Sequence, residues 1–259
     1  EAKQQAELAD KSKTQFLTKM SHEIRTPMNV IMGYSEVLLS KKSLKEKETK
    51  EDVRNIYNAG KSLLEIINNI LMYSRIESGK ETVEENEYAI ADIIGELESF
   101  VYAKIDSKKV NFSISIDGNI PSNYIGDKLK VYRILVNLIN NSIKYTTTGD
   151  ITLTIRCKEL TENIVELKFE IKDTGIGMKK EDLENIFTEL NKVNEKDSDV
   201  SGIGLGLILT KKIINMLDGK IQCESEFGIG TTFCININQK AVNGTKIKDI
   251  THLKDKIKT

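Results

Sequence analysis

The 259-residue sequence predicts two domains of different class. An antiparallel helical hairpin, forming a four-helix bundle as a dimer, comes first; an α/β sandwich with a mixed sheet and helices on one face follows. Three observations predict this. Apolar residues repeat every seven positions before about residue 75, the pattern changes near residue 80, and strand-like runs alternate with helical ones from Tyr88 to Gln239.

In the first helix Leu17, Ile24, Ile31 and Leu38 are spaced by seven, with Met20, Pro27 and Tyr34 three residues after the first three. In the second, Val53, Gly60 and Ile67 repeat by seven, as do Ile56, Leu63 and Ile70, and Tyr57, Leu64 and Leu71. Such a repeat keeps one seam against a partner helix. The link Ser40–Lys50 is almost all charge and reads as solvated. A lone two-helix hairpin buries too little surface to stand by itself, and pairing two hairpins solves that. Periodicity alone fits a plain coiled-coil spacer equally well.

The second half reads as a helix at 91–106, a strand at 110–116, a long apolar helix at 127–145 and strands at 150–157 and 164–172. Short helices at 180–187 and 204–217 and strands at 219–225 and 231–237 complete it. Ile151, Leu153 and Ile155 alternate with Thr152, Thr154 and Arg156, which marks a sheet with one covered face. Residues 188–201 are polar without periodicity and read as a mobile loop. The domain boundaries are therefore placed at 1–80, 81–240 and a polar linker or tail at 241–259.

Composition excludes several classes. Lys plus Arg is 38 and Asp plus Glu is 39, a formal net charge of −1, so there is no basic surplus for a nucleic-acid binder. No run approaches 18 uncharged apolar residues, so no membrane contact is expected from this fragment. Cys157, Cys223 and Cys234 are odd in number and widely spaced, which fits a reducing, cytoplasmic setting rather than a disulfide framework or zinc site. A chain that starts without Met, inside a helical pattern, reads as part of a longer protein, and a membrane anchor elsewhere in that protein is compatible with the reading.

Three segments carry chemistry. His22 lies five residues after Leu17, on the face expected to point to water. An imidazole there, with the ordinary value of about 6.5, is mostly neutral and nucleophilic near neutral pH. Pro27, five residues on, removes a helical N–H and predicts a bend. The glycine segments Asp173-Thr-Gly175-Ile-Gly177 and Gly202-Ile-Gly204-Leu205-Gly206 suit phosphate approach or tight turns. Neither fits a dinucleotide fingerprint or a Walker loop, because no parallel strand leads into the second and no Gly-Lys-Ser/Thr ends it. Asn137, Asn141 and Lys144, at i, i+4 and i+7, share one helix face. Amide oxygens ligate Mg²⁺ and a lysine holds phosphates, although a row of exposed polar residues has the same pattern.

In order, these segments resemble the sensor histidine kinases of two-component systems. Ser21-His22-Glu23-Ile24-Arg25-Thr26-Pro27 resembles the H-box and Asn137–Thr146 the N-box. Asp173–Met178, Gly202–Leu207 and Gly228–Thr231 resemble the three glycine boxes, and Ile186-Phe187 the F-box. One departure is visible: Ile-Phe-Thr-Glu-Leu-Asn stands where the family usually has Phe-x-Pro-Phe.

The resemblance implies a dimerisation and histidine-phosphotransfer hairpin, a homodimer, and an ATP-binding domain of the kind shared with gyrase, mismatch-repair and heat-shock chaperone ATPases. It implies that ATP and Mg²⁺ are used, that His22 takes the γ-phosphoryl group, and that Glu23 accepts the proton from the other ring nitrogen. Thr26 matches the position that aligns water to dephosphorylate a regulator. Asp173 takes the adenine amino group, Asn141 the metal, Lys144 a phosphate, and Tyr145 packs on the base. Asn137, Gly175, Gly177, Gly202, Gly204, Leu205, Gly206 and Thr231 complete the implied ATP site. Related hydrolysing ATPases carry a glutamate where Asn137 stands, and an amide is no general base, so steady ATP hydrolysis is disfavoured. The implied partner is a response-regulator receiver domain, separate or fused, and no nucleic acid.

Overall fold

The computed structural model describes residues 2–40, 46–105, 108–116, 120–187 and 205–242; side chains of residues 2–19, 22 and 46 also lie outside the description. The chain forms two compact units. One holds α1 (Ala2–Ser40) and α2 (Glu46–Glu77). The other holds seven strands with α3 (Ile90–Ile105), α4 (Lys128–Tyr145) and α5 (Lys180–Leu183), and α6 (Leu205–Met216) lies across the division, between Leu209 and Thr210.

The hairpin follows the seven-residue pattern. Met20, Pro27 and Ala59 are buried and Ile24, Ile31, Ile56, Leu63 and Ile70 half-buried. Pro27 is interior to α1, which continues to Ser40. A second row on α2, Val53, Tyr57, Leu64, Ile67 and Leu71, is exposed, as are Met28, Met32 and Leu39 on α1. A single hairpin thus covers one apolar seam and leaves another open. α2 ends at Gly79, whose φ of +65° is the left-handed cap geometry; Lys80 N–H donates to Arg75 O at 2.9 Å.

The strands are β1 (Asn86–Ala89), β2 (Lys109–Ile116), β3 (Asn123–Gly126), β4 (Thr148–Glu159), β5 (Ile164–Asp173), β6 (Lys220–Glu226) and β7 (Gly230–Ala241). Their order is β1-β3-β7-β5-β4-β2, with β6 also on β7; only the β2–β4 pair is parallel. β1 and β3 were not legible, because four residues hold too little of a two-residue period and their pairing is long-range. Residues 188–204, with the expected mobile loop and Gly202 and Gly204, and residues 243–259 lie outside the described residues.

Alternation works as expected. Val165, Leu167, Phe169 and Ile171 of β5 are buried, while Glu166, Lys168 and Glu170 face the open side. Helices α3 and α4 cover the other face, with Ile93, Ile94, Leu97 and Val101 meeting Ile134, Leu135, Leu138 and Ile139 in the core. Each such side chain contributes about 1.5–3 kcal/mol by leaving water.

α4 starts at a strong cap. The Asp127 carboxylate accepts Lys130 N–H at 2.9 Å, and also Lys130 Nζ at 2.9 Å and Glu84 N–H at 3.0 Å. Lys130 Nζ donates in turn to Thr82 O at 2.7 Å. Both side chains are buried, so this ion pair fixes residues 82–84 to the start of α4.

Candidate functional site

Register places the central carboxylate. Asp173 closes β5 opposite Ile151 of β4 and Thr231 of β7. It continues the inward phase of Val165, Leu167, Phe169 and Ile171, so a carboxylate occupies a position patterned for an apolar residue, and it is 5% exposed. Such burial requires partners. Ser142 Oγ donates to Asp173 Oδ2 at 2.8 Å; the N–H groups of Gly175 and Thr231 donate to Oδ1 at 3.0 and 3.3 Å. A carboxylate has about four acceptor positions. Three are used, which leaves one on the Oδ2 side for a ligand donor.

The turn after β5 is shaped by glycines. A Cβ on Gly175 would stand 2.7 Å from Tyr145 O, 2.9 Å from Asp173 Oδ1 and 3.0 Å from Thr146 Oγ1. Gly177 has φ +64°, and a Cβ there would overlap the Glu226 carbonyl. The β6–β7 turn closes on this segment: Gly228 N–H donates to Ile176 O at 2.8 Å, and Met178 N–H to Ser225 Oγ at 2.8 Å. The last turn of α4 adds Tyr145, whose carbonyl accepts Ile176 N–H at 3.2 Å. Lys144 Nζ lies 5.2 Å from the centre of the Tyr145 ring. Burial pushes the Tyr145 phenol above its ordinary value.

Of the residues singled out from the sequence, Tyr145, Asp173, Gly175, Gly177 and Thr231 come together here. Asn141 and Lys144 are half-buried on the same helix. Asn137 is engaged elsewhere: its amide nitrogen donates to Thr210 Oγ1 at 2.6 Å, tying α4 to α6. Leu205 and Gly206 lie in the first turn of α6. His22, Glu23 and Thr26 lie on α1 in the hairpin unit, the His22 side chain outside the described residues; Glu23 is half-buried and Thr26 exposed. The F-box Phe187 packs edge-on to Phe233 at 6.4 Å between centroids, with Lys211 Nζ 5.8 Å from its ring.

Ser142, Thr146 and Thr210 were missed. A signal existed for the first two: they continue the buried phase of Leu135 and Leu138 along α4, so small hydroxyls stand on an apolar stripe. Cys223, beside this cluster, is pushed up to about 12 by burial and then by the Asp173 charge, which keeps it a thiol. Among the described residues no three His, Cys, Asp or Glu side chains converge as a metal centre, and no helix is long and apolar enough to cross a membrane.

Two family profiles match the chain. Residues 12–79 match the "His Kinase A (phospho-acceptor) domain" and residues 126–241 the "Histidine kinase-, DNA gyrase B-, and HSP90-like ATPase". Hybrid signal transduction histidine kinase B of Dictyostelium discoideum is 34% identical over 91% of this chain and 12% of its own length. Signal transduction histidine-protein kinase BarA of Escherichia coli is 32% identical over 92% and 26%, and the autoinducer 2 sensor kinase/phosphatase LuxQ of Vibrio parahaemolyticus 34% over 92% and 28%. The chain thus spans 12–28% of the length of these curated relatives. The solved structure of Acinetobacter baumannii histidine kinase AdeS shares the fold, with a TM-score of 0.61 at 20% identity over 86% of this chain and 98% of its own.

Proposed function

The chain belongs to the sensor histidine kinases, and on that premise we propose that it is an ATP-dependent protein-histidine autokinase acting on His22. The phosphoryl group then passes to an aspartate of a response-regulator receiver domain, separate or fused. The observation that carries the nucleotide half is the Asp173 carboxylate, buried, held by Ser142, Gly175 and Thr231, with one acceptor position left. Adenine offers a donor amino group there, whereas guanine offers a carbonyl. Facing a carboxylate, guanine leaves two acceptors unpaired, a mismatch that costs a factor of about 10⁴.

Each residue then has a role. His22 attacks the γ-phosphorus in line through a ring nitrogen; an N–P bond forms, the bond from γ-phosphorus to the bridging oxygen breaks, and ADP leaves. Glu23 takes the proton of the other ring nitrogen. Consecutive helical residues do not face each other, so Glu23 reaches round the helix. Asn141 offers its amide oxygen to Mg²⁺ and Lys144 a charge to the phosphates. Asn141 is the residue that would hold the metal, with an oxygen donor of the kind Mg²⁺ prefers. Mg²⁺, when bound, would supply charge neutralisation for the transferring group. Gly202, Gly204, Leu205 and Gly206 complete the phosphate side. Thr26 aligns water when the protein dephosphorylates its regulator. The open apolar row on α2 supports a homodimer in which two hairpins make a four-helix bundle.

The test is incubation with γ-labelled ATP. Acid-labile, base-stable label that is lost in His22→Gln is expected. Nucleotide-dependent thermal stabilisation without label would reduce the protein to a nucleotide-responsive dimer.

A further inference from the structure

The chain between the two units is pinned on both sides. On the hairpin side, the N–H groups of Ser78, Gly79, Lys80 and Glu81 donate back to the α2 carbonyls of Ser74, Ile76 and, twice, Arg75, at 2.9–3.2 Å. On the other side, Thr82 O accepts Lys130 Nζ at 2.7 Å and Glu84 N–H donates to Asp127 Oδ2 at 3.0 Å. The division between the compact units falls between Glu81 and Thr82. One peptide link therefore joins the last residue tied to the hairpin to the first tied to the nucleotide unit.

Residues 82–87 are all exposed, and strand pairing begins only at Asn86, so neither apolar burial nor the sheet holds 82–85. The two bonds that anchor Thr82 and Glu84 both end on a pair that is itself buried, Asp127 at 4% and Lys130 at 6% exposure. A buried ion pair roughly breaks even against apolar side chains of the same volume, so stability alone gives little reason for one. What this pair does is shorten a tether.

We propose that Asp127 and Lys130 are interdomain positioning residues: by clamping Thr82 and Glu84 to the start of α4 they reduce the tether to one joint, and so raise the effective concentration at which bound ATP meets His22. This rests on the autokinase reading above. Effective concentration falls as about the −3/2 power of tether length. Releasing 82–85 lengthens the joint from one link to about five, a loss of about 10-fold. The pair acts from a distance. It sits at the first turn of α4, whereas Asn141, Lys144 and Tyr145 lie roughly 20 Å further along the helix.

The experiment measures, on the full chain, ATP affinity by titration calorimetry and the initial rate of acid-labile labelling at saturating ATP. In Asp127→Asn/Lys130→Met the amide oxygen in the Oδ1 place keeps the helix cap, while the amide N–H turns towards Glu84 N–H and Thr82 O loses its donor, so both linker bonds are given up. ATP affinity and KM should stay within about 2-fold of wild type while the labelling rate falls about 10-fold. Inserting Gly-Ser between Glu81 and Thr82 leaves the ion pair intact and lengthens the joint to about three links, so the rate should fall about 5-fold. Combined, the changes should cost about 20-fold rather than the product of about 50-fold, because both act on one length. A merely structural role for the pair would not respond to the insertion. Wild-type labelling rate in the folded double variant, or in the insertion, overturns the inference, and so does a multiplicative loss in the combination. The insertion decides the matter where the double variant does not fold. Wild-type protein that binds ATP but takes no label on His22 overturns the autokinase reading, and this inference with it.

Discussion

Ser142 Oγ donates to Asp173 Oδ2 at 2.8 Å, and this bond joins the end of α4 to the end of β5 inside the core. The helix carries the hydroxyl on its buried face and the strand carries the carboxylate on its inward phase. Ser142 supplies the donor to Oδ2 while Gly175 and Thr231 serve Oδ1, so the aim of the carboxylate depends on the packing of α4 against β5. Ser142→Ala should keep the fold and lower ATP affinity about 5- to 20-fold, because one of three bonds aiming the carboxylate is lost. Titration calorimetry with a thermal melt separates the two effects; unchanged affinity would show that Asp173 is aimed by Gly175 and Thr231 alone.

Asp173→Asn should abolish measurable ATP binding. With the amide oxygen in the Oδ1 place, which keeps the Gly175 and Thr231 bonds, the amide nitrogen takes the Oδ2 place and turns an N–H, instead of an acceptor, towards the adenine amino group. Fluorescence of a labelled adenine nucleotide measures this directly, with circular dichroism to confirm folding.

Gly177→Ala tests backbone approach. The residue has φ +64° and its Cβ would overlap the Glu226 carbonyl, so the β6–β7 turn must retreat. Urea unfolding should show a loss of about 2 kcal/mol or more. Gly33→Ala, where a Cβ meets nothing within 4 Å, should be neutral or slightly stabilising as the helical control.

The buried pair Asp127–Lys130 predicts an acid-sensitive domain. Burial alone raises the Asp127 carboxyl, but the Glu84 and Lys130 bonds outweigh it and hold the group below its ordinary value. A depressed folded-state value stabilises above about pH 4 and is lost as pH falls through it. Stability of the wild type should therefore fall below pH 4, and Asp127→Asn should flatten that limb. Lys130→Met should cost about 3–5 kcal/mol at neutral pH by leaving a buried carboxylate unpaired. Adding Asp127→Asn to it should recover much of the loss.

Dimerisation has its own signature. Val53, Tyr57, Leu64, Ile67 and Leu71 make an exposed apolar row on α2. Leu64→Lys with Leu71→Lys should shift the protein to a monomer by sedimentation velocity while ATP still binds, since both residues lie outside the nucleotide unit. A dimer that survives both changes would place the interface elsewhere.

The motif order, the seven-residue repeat and the alternation of Ile151, Leu153 and Ile155 were all legible, because each is local in sequence or repeats at a fixed period. So was the residue whose type is unusual for its place, Asp173 after an apolar strand. What the sequence by itself determined is the fold class and the chemistry the chain can offer: a nucleophile, amides, a carboxylate and flexible glycines. Tertiary structure alone decided which groups meet. The Asp173–Thr231 register, the Ser142 bond, the diversion of Asn137 to Thr210 and the unpaired Thr146 hydroxyl join residues 31 to 73 positions apart or depend on such joins. A hydrogen bond is set by distance and angle in three dimensions, and no periodicity along the chain encodes it.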